Sequence, residues 1–312
     1  MKPEILSVAP MYAPSMERLE REFTVHRLFA APDRDALLAQ IAERVRGIQG
    51  TGFASVPAAL IDSLPGLEIV SVFGVGYDGV DVAAARRRNV LVTNTPEVLN
   101  DCVADLALGL VIAAARRISA GDRYVRAGRW LSGPMPLASR VSGKRLGILG
   151  LGRIGQTIAR RASGFDMTIG YHSRHPIRDT PFRYYPSAVE LAQSSDFLVV
   201  ITPGGAATRH LVNEEVMRAL GPTGILVNVA RGSVVDEQAL VRCLQEGTLG
   251  GAGLDVFEDE PHVPEALFAM DNVVLQPHVG SATHETRLAM GNLTVDNLVA
   301  HFAGKPVLTP VG

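Results

Sequence analysis

Short apolar runs alternate along the whole chain with stretches of helical periodicity, the rhythm of an α/β fold built on parallel strands. In the first hundred residues the runs at 5–9, 23–27, 67–72 and 90–93 predict strands, with helices over 33–44 and 80–87, together a small parallel sheet. Thr95-Pro96 breaks this unit. The segment 102–118 is apolar on every face, which predicts a helix buried between domains or subunits. Residues 121–142 hold three glycines, two prolines and the only tryptophan, Trp130, and read as irregular. A second series starts at Lys144, where runs at 145–149, 167–171, 197–201, 224–229, 252–255 and 273–275 predict six strands of one doubly wound sheet. Ser187 and Glu190 form a capping box, and Asp236 caps a helix running to Glu246 with Gly247 beyond it. The final helix, over 283–302, places Leu288, Val295, Leu298 and Phe302 on one stripe and is expected to pack back on the first domain. The expected division is a discontinuous domain, 1–97 with 285–312, around a second domain, 98–284.

Composition narrows the function. The chain has 312 residues, 47% hydrophobic and 20% charged, as in an ordinary globular protein of two domains. A net charge of −2, with Arg86-Arg87-Arg88 as the only basic run, gives no footprint for nucleic acid or an acidic membrane surface. Cys102 and Cys243 sit among apolar residues, which excludes a disulfide framework and a thiolate zinc site and suits a reducing cytoplasm. The longest apolar run, 106–115, is half of what a bilayer span needs, and residues 1–9 lead into no secretory segment. A cytoplasmic protein is expected. The histidines at 26, 172, 175, 210, 262, 284 and 301 have no metal-ligand spacing, so no metal is expected.

The strongest chemical signal is Gly150-Leu151-Gly152-Arg153-Ile154-Gly155, which follows a predicted strand and opens a helical stretch. That context is what a dinucleotide fingerprint needs: Gly150 turns the chain, Gly152 lets a pyrophosphate approach the backbone, and Gly155 lets helix and strand pack closely. The phosphates would lie on the helix N-terminus. The next strand ends in Tyr171-His172-Ser173-Arg174-His175, with no carboxylate before Asp179 to hold a ribose 2′-hydroxyl. Ser173 and Arg174 instead offer a hydroxyl and a bidentate guanidinium to a 2′-phosphate, and His172 and His175 could join them. NADP(H) is therefore expected, with NAD(H) possible. Arg231, Asp255 and His278 each follow a later strand, at the carboxyl edge where open α/β sheets bind ligands. Glu258-Asp259-Glu260-Pro261 adds three acids, among which spacing alone does not choose.

These residues resemble the D-isomer-specific 2-hydroxyacid dehydrogenases over nearly the whole chain. Four ordered segments carry the resemblance: Gly147 to Gly155, Asn228-Val229-Ala230-Arg231-Gly232, Gly253 to Pro261, and Pro277-His278-Val279-Gly280. The resemblance implies Arg231, Glu260 and His278 as catalytic residues and Asp255 facing the nicotinamide carboxamide. It implies further cofactor contacts from Arg153, Ile154, Thr202, Pro203, Thr208, Ala230, Arg231, His278 and Gly280. It also reaches Phe73-Gly74-Val75-Gly76-Tyr77-Asp78, implying that the Val75 and Gly76 amides hold the substrate carboxylate beside Arg231 and His278. The implied fold is α/β with two Rossmann-like domains, a doubly wound parallel sheet for the cofactor and a smaller flavodoxin-like substrate domain. Tyr171-His172-Ser173-Arg174 and Thr202-Pro203-Gly204-Gly205 look most like the NADPH-dependent glyoxylate, hydroxypyruvate and hydroxyphenylpyruvate reductases. The expected partner is a small 2-oxo or 2-hydroxy acid, and the expected assembly a homodimer. The alternatives are an NAD(H)-dependent relative acting on D-lactate or phosphoglycerate, and a non-catalytic dinucleotide-sensing protein.

Overall fold

A computed structural model describes residues 2–311. The chain divides into two compact units, Asn100–Gly280 and the residues on either side of it. The flanking unit begins with β1 (Glu4–Ser7), α1 (Ala13–Glu22), β2 (Thr24–Arg27), α2 (Arg34–Ile41), β3 (Val45–Thr51), α3 (Ala58–Asp62), β4 (Ile69–Phe73), α4 (Val82–Arg87) and β5 (Leu91–Thr93). Its strands are all parallel in the order β2-β1-β3-β4-β5, the flavodoxin-like arrangement.

The central strand β3 escapes the hydrophobic pattern because its sequence is Val-Arg-Gly-Ile-Gln-Gly-Thr. Gln49 is fully buried, yet it accepts from Ser7 Oγ at 2.6 Å and donates to the Gly50 carbonyl at 2.9 Å, so its polar ends are satisfied. Gly47 is small because a Cβ there would lie 2.7 Å from Ile5 Cδ1. The helix α1 is equally hard to read, since it buries only Ser15, Met16 and Leu19.

The larger unit runs α5 (Asn100–Ala115), α6 (Ile118–Arg126), β6 (Arg145–Leu149), α7 (Arg153–Ala162), β7 (Thr168–His172), β8 (Arg183–Tyr184), α8 (Ala188–Gln193), β9 (Phe197–Val200), α9 (Glu214–Leu220), β10 (Ile225–Asn228), α10 (Glu237–Gln245), β11 (Gly251–Leu254) and β12 (Val273–Leu275). Its seven strands are parallel, ordered β12-β11-β10-β9-β6-β7-β8. The direction of winding reverses between β6 and β9, the switch point at which such sheets bind ligands. The seventh strand, β8, spans two residues, too short to show any alternation. Ser187 accepts from the Glu190 N–H and Asp236 from the Ala239 N–H, so both predicted caps form.

Two sequence expectations change here. The apolar helix ends at Ala115, and its buried face packs on α7, β10, β11 and β12 of its own unit. Arg117, in a left-handed conformation (φ 52°), then turns the chain into α6, so residues 121–126 of the segment read as irregular are helical. Gly121 hides the period, and Gly128 (φ 69°) ends the following turn.

The C-terminal helix α11 (His284–Phe302) returns to the flanking unit and packs on α1 and β4. Its buried face runs through Met290, Val295 and Leu298 with the polar Thr294 and Asn297, whereas Leu288 is exposed. Asn297 pays its desolvation with four bonds: to the Leu293 carbonyl and Thr309 Oγ1, and from the Leu308 and Thr309 N–H groups. Gly291 allows the close crossing with α1, because a Cβ there would lie 1.9 Å from Ser15 Oγ.

Candidate active site

The turn after β6 is built for close approach. Gly150 has φ +105°, and a Cβ on it would lie 2.8 Å from the Ile201 carbonyl oxygen at the end of β9. A Cβ on Gly155 would lie 2.2 Å from the Gly150 oxygen, which forces helix α7 against its own strand. Gly152, by contrast, faces open space, and no side chain caps the first turn of α7. The N–H groups of that turn thus retain their capacity for an anion. Beside them Thr202 Oγ1 is buried with no hydrogen-bond partner. An uncapped helix start, an open cradle and an orphaned hydroxyl fit the pyrophosphate of a dinucleotide.

The adjoining strand end is braced from below. Tyr171 is buried, and its hydroxyl accepts from the Ile177 N–H at 2.8 Å, folding the chain after β7 back on itself. Ser173 Oγ donates to the His175 carbonyl at 2.7 Å, and His172 Nδ1 donates to the Tyr185 carbonyl at 2.8 Å. Arg174 and His175 are exposed at the tip of this turn. Thr208 donates to the Pro203 carbonyl at 2.7 Å, closing the loop after β9. Arg153 is exposed and Ile154 half-buried on the first turn of α7.

Three further strand ends lie side by side. The Asp255 N–H donates to the Asn228 carbonyl at 3.0 Å, and the His278 N–H to the Asp255 carbonyl at 2.8 Å. The buried Asn228 side chain accepts from the Ala230 N–H at 3.1 Å and donates to the Arg231 carbonyl at 3.0 Å, which sets the turn carrying Arg231. Asp255 is buried, and its two carboxylate oxygens accept from the Val279 and Gly280 N–H groups at 2.7 and 2.8 Å. These bonds hold His278 in a left-handed backbone conformation (φ 53°), uncommon outside glycine.

His278 Nδ1 lies 3.0 and 2.8 Å from the two oxygens of Glu260. Burial pushes the Glu260 carboxyl up, but the hydrogen bonds with His278 and the Phe257 N–H and the charges of His278 and Arg231 prevail and hold it below its ordinary value. An ionised carboxylate only accepts, so Nδ1 carries a proton and Nε2 is the atom that can exchange one. At Asp255 burial prevails and raises the carboxyl, although the amides of Val279 and Gly280 and the charge of His278 oppose it. The three acids of the loop part company: Glu260 meets His278, Glu258 meets Arg209 and His210, and Asp259 lies 3.4 Å from His262.

Arg231, Asp255, Glu260 and His278 thus meet at the carboxyl edge of one sheet, in the same unit as the glycine turn. Val75 and Gly76 belong to the flanking unit, in the turn after β4. There the Gly74 carbonyl accepts from the Thr95 N–H at 2.9 Å and the Val75 carbonyl from Asn94 Nδ2 at 2.8 Å, fixing the peptide planes. Among the described residues no group of three His, Cys, Asp or Glu side chains is placed to hold a metal ion. No helix among them is long and apolar enough to cross a membrane.

The sequence model of the D-isomer specific 2-hydroxyacid dehydrogenase NAD binding domain matches residues 108–280. The chain belongs to this dehydrogenase family. It is 50% identical to glyoxylate/hydroxypyruvate reductase A of Arabidopsis thaliana over 98% of each chain. It is 52% identical to the hydroxyphenylpyruvate reductase of Plectranthus scutellarioides, again over 98% of each. The crystal structure of the NADPH-dependent glyoxylate/hydroxypyruvate reductase of Sinorhizobium meliloti, in complex with NADP and malonate, superimposes with a TM-score of 0.92 at 46% identity, covering 100% of this chain and 97% of that one. In this D-isomer specific 2-hydroxyacid dehydrogenase, Asn228 and Tyr171 shape the site although neither is a reactive type at a strand end. Both stand in segments that carry the family resemblance.

Proposed function

We propose that this chain reduces small 2-oxo acids, such as glyoxylate or hydroxypyruvate, to 2-hydroxy acids, of D configuration where the product is chiral, with NADPH. The observation that carries the reading is the His278 imidazole held through Nδ1 by both oxygens of an ionised Glu260, at the sheet edge that also presents Arg231. NADPH, when bound, supplies the hydride to the ketone carbon. His278 gives its Nε2 proton to the oxygen as negative charge develops there, and Glu260 stabilises the charged imidazole before that transfer. Arg231 binds the carboxylate or ketone oxygen and polarises the carbonyl. On the flanking unit, the Val75 and Gly76 amides hold the substrate carboxylate.

The dinucleotide rests on Gly150, Gly152, Arg153, Ile154 and Gly155, with Thr202, Pro203, Thr208, Ala230, Asp255 and Gly280 along the same edge. His172, Ser173 and Arg174 take the 2′-phosphate. A hydroxyl and an exposed guanidinium at the end of β7, with no carboxylate, support NADPH over NADH, as does the NADP complex of the Sinorhizobium relative. A cytoplasmic homodimer completes the reading. Its support is a sequence with only two cysteines, Cys102 and Cys243, and a run of exposed apolar side chains, Ile118, Val125, Trp130, Leu131 and Leu137.

The experiment is steady-state oxidation of NADPH and of NADH with a panel of 2-oxo acids. Turnover of glyoxylate or hydroxypyruvate with NADPH preferred is the expected result. Binding of NADPH without turnover of any 2-oxo acid would overturn the reading.

A further inference from the structure

The acid loop makes a second set of contacts that the His278–Glu260 pair does not use. Glu258 Oε1 accepts from Arg209 Nη2 at 2.8 Å and from His210 Nε2 at 3.0 Å. Arg209 and His210 close the loop that leaves β9 through Thr202, Pro203 and Thr208. The same glutamate is fixed through its backbone, because its N–H donates to Glu237 Oε2 at 3.1 Å on the first turn of α10. The next peptide up the chain is fixed as well: the Phe257 N–H donates to Glu260 Oε1 at 3.0 Å. Arg231's neighbour closes the arrangement, since a Cβ on Gly232 would lie 1.9 Å from the Phe257 carbonyl carbon and oxygen. The His210 N–H then donates to the Ser233 carbonyl at 2.8 Å.

An exposed ion pair usually contributes little, because two long side chains must be ordered to make it. The Arg209 side chain is 59% exposed and that of Glu258 27%. Here the backbones of Glu258 and His210 are already held by other bonds, so the ordering cost falls on the side chains alone. One carboxylate oxygen also shares both donors, as in a coupled network.

We propose that Glu258 is a positioning residue: through Arg209 and His210 its carboxylate ties the loop after β9 to the turn carrying Glu260, holding the dinucleotide's loop and the proton-donating pair in one register. The proposal rests on the reading of Glu260 and His278 as that pair and of Thr202 to Thr208 as cofactor-facing. It assigns a purpose to the acid that the chemistry leaves unused.

The test is a double-mutant cycle of Arg209→Ala and Glu258→Ala, with Glu258→Gln as the conservative variant, read by two methods. In the cofactor-free protein, amide hydrogen exchange should rise at 256–262 on Arg209→Ala and at 203–210 on Glu258→Ala, each in the loop not substituted. In turnover, each single variant should lower kcat about two- to fivefold and raise the KM for NADPH, with the double variant no worse than Glu258→Ala, which already loses both bonds. Glu258→Gln, which keeps an acceptor without the charge, should fall between wild type and Glu258→Ala. Exchange changes confined to the substituted loop, or effects on kcat that add in the double variant, would overturn the clamp. If the wild type reduces no 2-oxo acid, the functional reading fails while the exchange cycle still decides the clamp.

Discussion

His278 is held from two sides, by the Asp255 carboxylate beneath its own turn and by Glu260 at its ring. Removing the ring leaves the turn, because Asp255 bonds to the backbone of Val279 and Gly280 rather than to the imidazole. His278→Ala should therefore lower kcat about a hundredfold or more with NADPH affinity almost unchanged, measured by turnover and fluorescence titration. Glu260→Gln removes the negative charge that faces the ring, so the rate of reduction should fall across the pH profile while NADPH affinity stays almost unchanged. Stability gives the complementary check. The Glu260 carboxyl lies below its ordinary value when folded, so its contribution is present above that value and is lost as pH falls through the folded one. Thermal melts in acid should show that loss in the wild type and a flatter dependence in Glu260→Gln. An unchanged turnover profile and unchanged acid melts would mean that the carboxylate does not act on the ring.

The element that decides cofactor choice is β7 with the turn after it. Tyr171 is buried in the strand, and its hydroxyl takes the Ile177 N–H, so a residue beneath the sheet sets the path on which Ser173 and Arg174 sit. Arg174→Ala should cost about ten- to a hundredfold in kcat/KM for NADPH, the worth of a charge-assisted pair, and leave NADH nearly unaffected. Tyr171→Phe should orphan the Ile177 N–H, destabilise the fold by about 1–3 kcal/mol in denaturant unfolding, and narrow the preference for NADPH by letting the turn drift. Equal losses with both cofactors in Arg174→Ala would reduce the turn to a surface feature. At this scale legibility was uneven. The strands β6, β9 and β12 are apolar runs and could be read directly, as could the caps at Ser187 and Asp236. The strand β3 could not, because Gln49 and two glycines occupy positions that apolar residues would mark, and the reasons for Gln49 and Gly47 lie in Ser7 and Ile5, far away in sequence.

For the whole molecule, Leu131 and Leu137 are both 96% exposed, and Trp130 is 69% exposed, on the stretch between α6 and β6. Side chains of that kind in a row are costly in water, and a second copy would cover them. On the proposed homodimer, Leu131→Asp combined with Leu137→Asp should shift the protein from dimer to monomer in analytical ultracentrifugation while circular dichroism stays that of the wild type. A wild-type monomer would remove the homodimer. The features readable without coordinates were those governed by neighbours in the chain. A strand, a glycine turn and a helix start suffice for the dinucleotide fingerprint, and a missing acid at the end of β7 is visible as a missing letter. The choice among Glu258, Asp259 and Glu260 was of another kind. Consecutive acids before a proline are equivalent in any local view, and the family resemblance, not their spacing, pointed to Glu260. What separates them physically is which distant side chain each one meets: His278 for Glu260, Arg209 and His210 for Glu258, and the exposed His262 for Asp259. Folding alone brings those partners together, because the strand ends that carry them are adjacent only in the sheet.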